Sequence, residues 1–515
     1  MAFSRAAGIL LHPTSLPGPG GVGTLGEHAY QFVDMLQEAG MSLWQVLPLG
    51  PTGYGDSPYS ALSAFAGNPF LIALEPLIER GWLTHEDLQP LSGMPETHVD
   101  FGRLVPNKMK VLRQAFNTYR ELEADSTEKD LFGTEQASWL EDFALFMALK
   151  DEHGGGPWID WEPALRVRDP EKLEEARARL SEAIEFHRFT QFVFFQQWMA
   201  LKRYANERGV RIVGDIPIFV ANDSSDVWGN QELFQLDSSG VQIVDAGVPP
   251  DYFSATGQLW GNPHYQWEAM AADGFSWWIH RFRSLLTLVD VVRLDHFRGF
   301  AAAWAVPHGN DTAEVGEWIP APGRELFSAV RDALGDLPII AENLGVITPD
   351  VEALRAEFGY PGMHILQFAF GSGADNPSLP HNIEQNNVVY TGTHDNDTTV
   401  GWFEKSEREE QDFVRDYLRT PCVDVAWDLM RAALASVGVF AIVPLQDVCR
   451  LGSAARMNLP GRASGNWGWR FPDGAVSKLD LQNLRDLVRV YGRKELEELA
   501  QATISSGELK PAGSA

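Results

Sequence analysis

Three acidic residues each lie at the end of a short apolar run: Asp295 closes TLVDVVRLD, Glu342 lies in DLPIIAEN, and Asp395 closes NNVVYTGTHD. Continuous β-branched runs of this length read as strands buried on both faces, as in parallel sheets. A carboxylate at the C-terminal tip of such a strand stands where parallel α/β sheets and barrels place their chemistry. Two carboxylates suffice for acid/base and nucleophilic work on a glycosidic bond, and a third can orient or stabilise. A lone acid after a strand is more often a cap or turn former. Here Arg293, His296 and Arg298 surround Asp295 in RLDHFRG, and His394, Asn396 and Asp397 surround Asp395 in GTHDND. Turn chemistry has no use for that concentration of ionisable groups, so the pattern points to a sugar-processing enzyme.

Eight apolar runs are available to position these acids: 7–12, 42–49, 211–219, 288–295, 337–343, 363–370, 387–392 and 439–447. Helical periodicity separates most of them, at 28–39, 190–209, 324–335, 350–359 and 426–438. Strands alternating with helices eight times predict an α/β fold, a (β/α)8 TIM barrel spanning 1–515 as one catalytic unit. The crossover after the sixth run, GSGADNPSLPHNIEQN, has little helical pattern and is expected to be irregular. Two excursions exceed ordinary barrel connections. Residues 70–185, between strands 2 and 3, carry amphipathic stretches and predict a helical insertion subdomain. Residues 220–272, after strand 3, are rich in Gly, Pro, Trp and Asp and predict an irregular lid, since long ordered loops are usually functional. The tail GELKPAGSA is expected to be loose.

The bulk properties narrow the classes. A net charge of −29 opposes nucleic-acid binding, which needs clustered Lys and Arg, and opposes anionic membrane surfaces. Only Cys422 and Cys449 occur, so there is no disulfide framework and no CxxC spacing, as suits a reducing cytoplasm. The apolar run before His12 is too short for a signal segment, and no window reaches a membrane-spanning length. GVGTLG at 21–26 matches GxGxxG, but the next strand ends WQVLPLGPTG without the acid a dinucleotide site requires. Its glycines read as a tight surface loop. His12, Asp215, His296, His394 and Asp395 all lie near strand tips, yet strand 1 ends LLHPTS, with one His followed by Pro, so neither a catalytic metal nor any other cofactor is expected.

The segment VPPDYFSATGQLWGNPHYQW (248–267) sets Tyr252, Phe253, Trp260, Tyr265 and Trp267 among Gly, Pro, Asn and Gln with neither helical nor strand period. Aromatic faces with amides nearby fit a saccharide cleft. With these residues in view the chain resembles the 4-alpha-glucanotransferases of glycoside hydrolase family 77, the amylomaltases or disproportionating enzymes. The likeness rests on GILLHPTSLPGPGGVGTLG, WQVLPLGPTGYGDSPYS, GDIPIFVANDSSDVW, the 248–267 segment, VRLDHFRGF, AENLG, YTGTHDND and NLPGRASGNWGWR.

The resemblance implies a retaining double displacement on α-1,4-glucans, with Asp295 as nucleophile, Glu342 as general acid/base and Asp395 as transition-state stabiliser. It places Arg293 and His394 beside the first and last of these, and Asp215, Ser57, Tyr59, Gln258, Trp260 and Asn466 along the substrate cleft. Substrates would be malto-oligosaccharides, amylose or other starch- and glycogen-derived glucans, handled by a monomer or weak homodimer. Retention predicts nucleophile and acid/base carboxyls about 5–5.5 Å apart. A plain α-glucan hydrolase would use the same three acids, and a non-catalytic glucan-binding protein would keep the aromatics without needing all three.

Overall fold

The protein, seen here as a computed structural model, is described over residues 3–122, 127–250, 254–462 and 464–493. Twelve strands occur in the described residues: β1 (Ala6–Leu10), β2 (Leu43–Gln45), β3 (Arg211–Pro217), β4 (Val244–Val248), β5 (Gln258–Pro263), β6 (Val291–Asp295), β7 (Ala302–Pro307), β8 (Glu317–Pro320), β9 (Ile339–Ala341), β10 (Gly362–Ile365), β11 (Asn387–Tyr390) and β12 (Phe440–Pro444). Eight of them form one parallel sheet in the order β10-β11-β12-β1-β2-β3-β6-β9. The ends of this sheet meet, since the Ala341 N–H donates to the Pro361 carbonyl at 2.9 Å and the Met363 N–H to Asn343 Oδ1 at 2.8 Å. The fold is a (β/α)8 barrel. Each strand lies within or one residue from its expected run, and the crossover between β10 and β11 holds no α-helix among its described residues.

Strand period explains how the barrel presents charge. Successive side chains alternate between the two faces of a strand. Ala7 and Ile9 of β1 point into the layer beneath the helices, whereas Ala6 and Leu10 join Leu43, Val213, Val291, Ile340, Val388 and Ile442 inside the barrel. Two residues further along the same inward rows stand Asp215 after Val213, Arg293 after Val291 and Glu342 after Ile340, with Asp295 two beyond Arg293. The lower layers are apolar and tightly filled. The top layer of the same rows is charged.

Between β2 and β3 the regular structure is helical, mostly from Phe101 onward, with long helices at Phe101–Leu122, Ala137–Glu152 and Ser181–Glu207. The last runs unbroken through position 185, so the expected boundary of the insertion falls inside a helix. The 220–272 segment, expected to be irregular, is partly a sheet. Its β4 and β5 pair antiparallel and join β7 and β8 in a second, four-stranded sheet of order β5-β4-β7-β8. Gly247 of β4 pairs with Trp304 of β7, a partner more than fifty residues downstream that no local pattern reveals. In the GVGTLG loop a methyl group on Gly23 would sit 2.0 Å from the Pro13 carbonyl, so that glycine serves close backbone packing. No described helix is long and apolar enough to cross a membrane.

The N-terminal end of the barrel is closed by arginine. Arg493 is fully buried and donates to the carbonyls of Ala6, Ala433, Leu434, Ser436 and Gly438, at 2.6–3.2 Å. Arg5 donates to Leu434, Ser436, Gly438 and Tyr491. These carbonyls include the orphan acceptors at the end of helix Val425–Ala435, which needs partners once buried. Arg493→Met should therefore lower stability by about 2–4 kcal/mol. Denaturant unfolding checks the loss, and turnover measured well below the transition should stay at the wild-type level because the site lies at the other end of the barrel.

Candidate active site

The centre of the site is one guanidinium shared by two carboxylates. β3 and β6 pair with Asp215 opposite Arg293 and Pro217 opposite Asp295. Arg293 Nη1 reaches Asp215 Oδ1 and Oδ2 at 2.8 and 2.6 Å and Asp295 Oδ1 at 2.9 Å. The Arg293 and Asp215 side chains are only 4% and 0% exposed, while Asp295 keeps 28% of its side chain open. Burial works against the Arg293 charge, but Asp215 and then Asp295 more than offset it and hold the guanidinium firmly protonated. Burial also pushes the Asp215 carboxyl upward, with Arg293 opposing. Tyr59 completes the group by donating its hydroxyl to Asp215 Oδ2 at 2.8 Å.

Glu342 sits one residue beyond β9, where its own N–H donates to the Leu294 carbonyl at 2.9 Å. Its carboxyl is buried and, among the described residues, held by backbone alone: the His296 N–H donates to Oε2 at 2.6 Å and the Leu344 N–H to Oε1 at 2.8 Å. His296 reaches this position because it adopts the left-handed conformation, φ 50°, immediately after Asp295. A non-glycine residue there is uncommon and marks a constrained turn. Burial first, and the Asp295 charge second, push the Glu342 pKa up to about 7 against the pull of Arg293 and the two N–H groups. Burial lowers His296 to about 4, which leaves a neutral imidazole at physiological pH.

Asp395 is the most open of the three acids, with 47% of its side chain exposed. Asn458 Nδ2 donates to its Oδ1 at 2.6 Å, and His394 Nε2 stands 3.4 Å from the same oxygen. The His394 ring stacks on Tyr59 with centroids 5.0 Å apart, and both rings lean on Trp467. Tyr59 thus ties the Asp215–Arg293–Asp295 group to the wall that carries Asp395. Ser57 accepts the Tyr59 N–H at 3.2 Å, fixing the turn that delivers this tyrosine.

The other expected cleft residues divide. Trp260 is exposed, donates Nε1 to Gln258 Oε1 at 3.3 Å, and sets its ring edge-on to His296 at 4.8 Å. Tyr265 is instead core: it is fully buried, donates to the Ile218 carbonyl at 2.6 Å, and packs against Trp267, Trp277 and Trp278. Trp267 is partly buried against Tyr265. The expectation that Tyr265 faces sugar is corrected, because its ring is covered by Trp277 and Trp278 as well. Tyr252 and Phe253 lie outside the described residues. Asn466 uses its amide within its own loop, accepting from the Leu459 N–H and donating to Leu459 and Arg462 carbonyls. Its neighbour Trp467 is the residue of that loop that touches the site. Trp467 and Asn458 were not singled out from sequence, although both lie in NLPGRASGNWGWR; the Leu344 N–H, being backbone, left no signal to find.

Carboxylates converging at the C-terminal end of a (β/α)8 barrel, beside aromatic walls, place the protein among the barrel enzymes that act on glycosidic bonds. The family model for the 4-alpha-glucanotransferases, glycoside hydrolase family 77, matches residues 11–477, and the chain belongs to that family. It is 52% identical over 504 residues to the 4-alpha-glucanotransferase of Thermus thermophilus, covering 96% of this chain and 100% of the relative. To that of Synechocystis it is 51% identical over 500 residues, covering 96% and 99%. Among solved structures, an amylomaltase from Streptococcus agalactiae in complex with acarbose is 40% identical and superimposes with a TM-score of 0.93 over 95% of this chain and 100% of the other. An amylomaltase from Corynebacterium glutamicum, 18% identical with a TM-score of 0.76, shares the fold.

Removing one member of a buried ion group leaves the others uncompensated. Arg293→Met should destabilise the protein by about 3–5 kcal/mol at neutral pH. Without Arg293 the buried Asp215 carboxyl binds its proton more tightly folded than unfolded, so the penalty exists above its unfolded pKa and disappears as pH falls toward it. Urea unfolding of variant and wild type at neutral and mildly acidic pH tests this. A penalty of equal size at both would mean that packing, not charge, was lost.

Proposed function

We propose that this 4-alpha-glucanotransferase family member works by a retaining double displacement, with Asp295 as nucleophile, Glu342 as acid/base and Asp395 as stabiliser. The supporting observation is the contrast between the first two. Asp295 lies open at one side and is hydrogen-bonded to a permanently charged guanidinium, as a nucleophile requires. Glu342 is buried, receives no side-chain cation among the described residues, and has its pKa raised to about 7, as a proton donor requires. The donated proton goes to the glycosidic oxygen as Asp295 bonds the anomeric carbon. The resulting ester is opened by an acceptor's 4-hydroxyl, whose proton returns to Glu342. Asp395, fixed at one oxygen by Asn458, keeps the other for sugar hydroxyls whose hydrogen bonds tighten as the ring flattens.

Transfer must outrun hydrolysis. Water exceeds a millimolar acceptor by roughly 10⁴, equivalent to about 5–6 kcal/mol of discrimination. Trp260 and Gln258 on β5, with Ser57, Tyr59 and Asn466 across the opening, are suited to line the cleft, bind the glucan and exclude water. Malto-oligosaccharides and starch- or glycogen-derived glucans are the substrates this reading implies. Two unpaired cysteines accord with a cytoplasmic location, and no partner other than a weak homodimer contact is called for. Incubation with maltotriose is the direct test: a ladder of longer oligomers with glucose means transfer, glucose and maltose alone mean hydrolysis, and no change means binding only.

Two predictions separate the roles. Asp295→Asn should abolish transfer and hydrolysis together, and a folded variant keeping more than a few per cent of turnover removes Asp295 as nucleophile. Glu342→Gln should lose maltotriose turnover but still accept a glycosyl fluoride, whose leaving group needs no proton, and mass spectrometry should find the adduct on Asp295. In the wild type, kcat/KM for maltotriose should fall about tenfold per unit above about pH 7, as Glu342 loses its proton, and the fluoride should show no such limb.

The lid gives a third. Trp260→Ala should weaken substrate binding by about 1–3 kcal/mol and reduce transfer more than hydrolysis. An unaltered transfer-to-hydrolysis ratio in a protein that melts earlier would make Trp260 a packing residue.

A further inference from the structure

Among the described residues no side chain holds the Glu342 carboxyl, and its aim depends on the two backbone segments that supply N–H groups. One, at His296, belongs to the turn after β6. The other, at Leu344, belongs to the loop 343–346, whose anchoring is uneven. At its near end Asn343 is fixed on both sides, donating Nδ2 to Glu352 Oε1 at 2.7 Å and accepting the Met363 N–H at 2.8 Å. Beyond Leu344 come Gly345, with φ 85° and no side chain, and Val346, whose side chain is 61% exposed. Neither residue gives the stretch much side-chain packing, which resumes at Ile347. The Val346 carbonyl is held by Arg298, whose Nη1 donates to it at 2.5 Å.

Arg298 is itself built for that task. It lies in the short helix Phe297–Phe300, three residues after Asp295, and is buried. Its guanidinium carbon stands 3.8 Å over the centre of the Trp318 ring, on β8 of the antiparallel sheet. A planar guanidinium stacked on an aromatic ring is oriented as well as attracted. Among the described residues it makes no ion pair with a carboxylate: Asp350 acts on it at longer range. A buried cation directed at a single loop carbonyl is a poor device for stability alone, since burial penalises its charge.

We infer that Arg298 is a positioning residue for Glu342, setting through Val346 the loop whose Leu344 N–H holds one oxygen of the acid. This rests on the acid/base reading of Glu342. The turn that follows the nucleophile thus carries both devices that aim the acid, the His296 N–H directly and Arg298 through the opposite loop. Trp318, on a strand that touches neither acid, becomes part of the same arrangement. The charged and titratable groups facing Glu342, namely Asp295 and Arg293 on β6 and His296 in the turn, are left in place when Arg298 is replaced, as is Asp350 beside Arg298.

The test compares two donors. Arg298→Met should lower kcat/KM for maltotriose at least about tenfold while the first-step rate with α-maltosyl fluoride falls less than about threefold, because only the former needs a well-aimed proton. Since the Leu344 N–H favours the ionised carboxylate, loosening it should also move the alkaline limb of the maltotriose profile to higher pH. Arg298→Lys, which keeps charge without the planar stack, should recover part of the loss. Trp318→Leu should give the same selective loss in smaller measure, and it decides the matter if Arg298→Met fails to fold. Equal losses on both donors with an unmoved limb would overturn the inference and leave Arg298 a structural residue. Glu342→Gln is run in parallel: if it lacks the donor-selective loss, the acid/base reading itself fails, whereas a selective loss there and none in the Arg298 and Trp318 variants sinks only the positioning role.

Discussion

The structure turns on a cation buried where the barrel would otherwise repel its own carboxylates. Asp215 and Asp295 stand on adjacent strands, on inward rows, with Asp295 two residues further along than the partner of Asp215. Two carboxylates so placed in a low-dielectric interior would disfavour each other's charge and take up protons. Arg293, in register with the first and two residues before the second, supplies the charge that lets both remain there. Tyr59 then joins that group to the wall bearing His394 and Asp395. Each side chain is held by another that is also part of the site, so the loss of one is felt by the rest.

Glu342 lies in the same interior under the opposite conditions. It is a single strand away from Arg293, yet the hydrogen bonds to its carboxyl come from backbone N–H groups. Burial dominates, the Asp295 charge adds to it, and the pKa is raised. The left-handed turn at His296 serves both, since it ends the strand that carries one acid and directs an N–H at the other.

The two ends of the barrel divide stability from chemistry. Below the apolar layers, Arg5 and Arg493 close the fold with hydrogen bonds to helix-end carbonyls and, among the described residues, pair with no carboxylate. Above them, charged groups share hydrogen bonds closely, and His394 Nδ1 and His12 Nδ1 are buried with no partner among the described residues. The tightly satisfied end carries the fold.

Much of this was legible in the chain. Period-2 and period-3.6 patterning yields eight strands and most of the helices, because strand burial and helix amphipathicity are local properties written in side-chain order. The three acids stood out for the same reason: strand tips are recognisable, and ionisable neighbours are countable. The sheet formed by β4, β5, β7 and β8 was not legible, since its pairing joins segments far apart, nor was the burial of Tyr265, whose aromatic character is the same in a cleft or a core. Asn466 hydrogen-bonds within its own loop, while Trp467 and Asn458 of the same stretch touch His394, Tyr59 and Asp395, contacts that no sequence pattern shows. By itself, then, the sequence determined the barrel, the level at which the acids emerge and the family to which they belong. Only the tertiary structure decided that Arg293 is shared, that Glu342 is gripped by backbone, and that Arg298 and Trp318 stand behind it. Those are matters of distance and dielectric between residues remote in the chain, and no local pattern carries them.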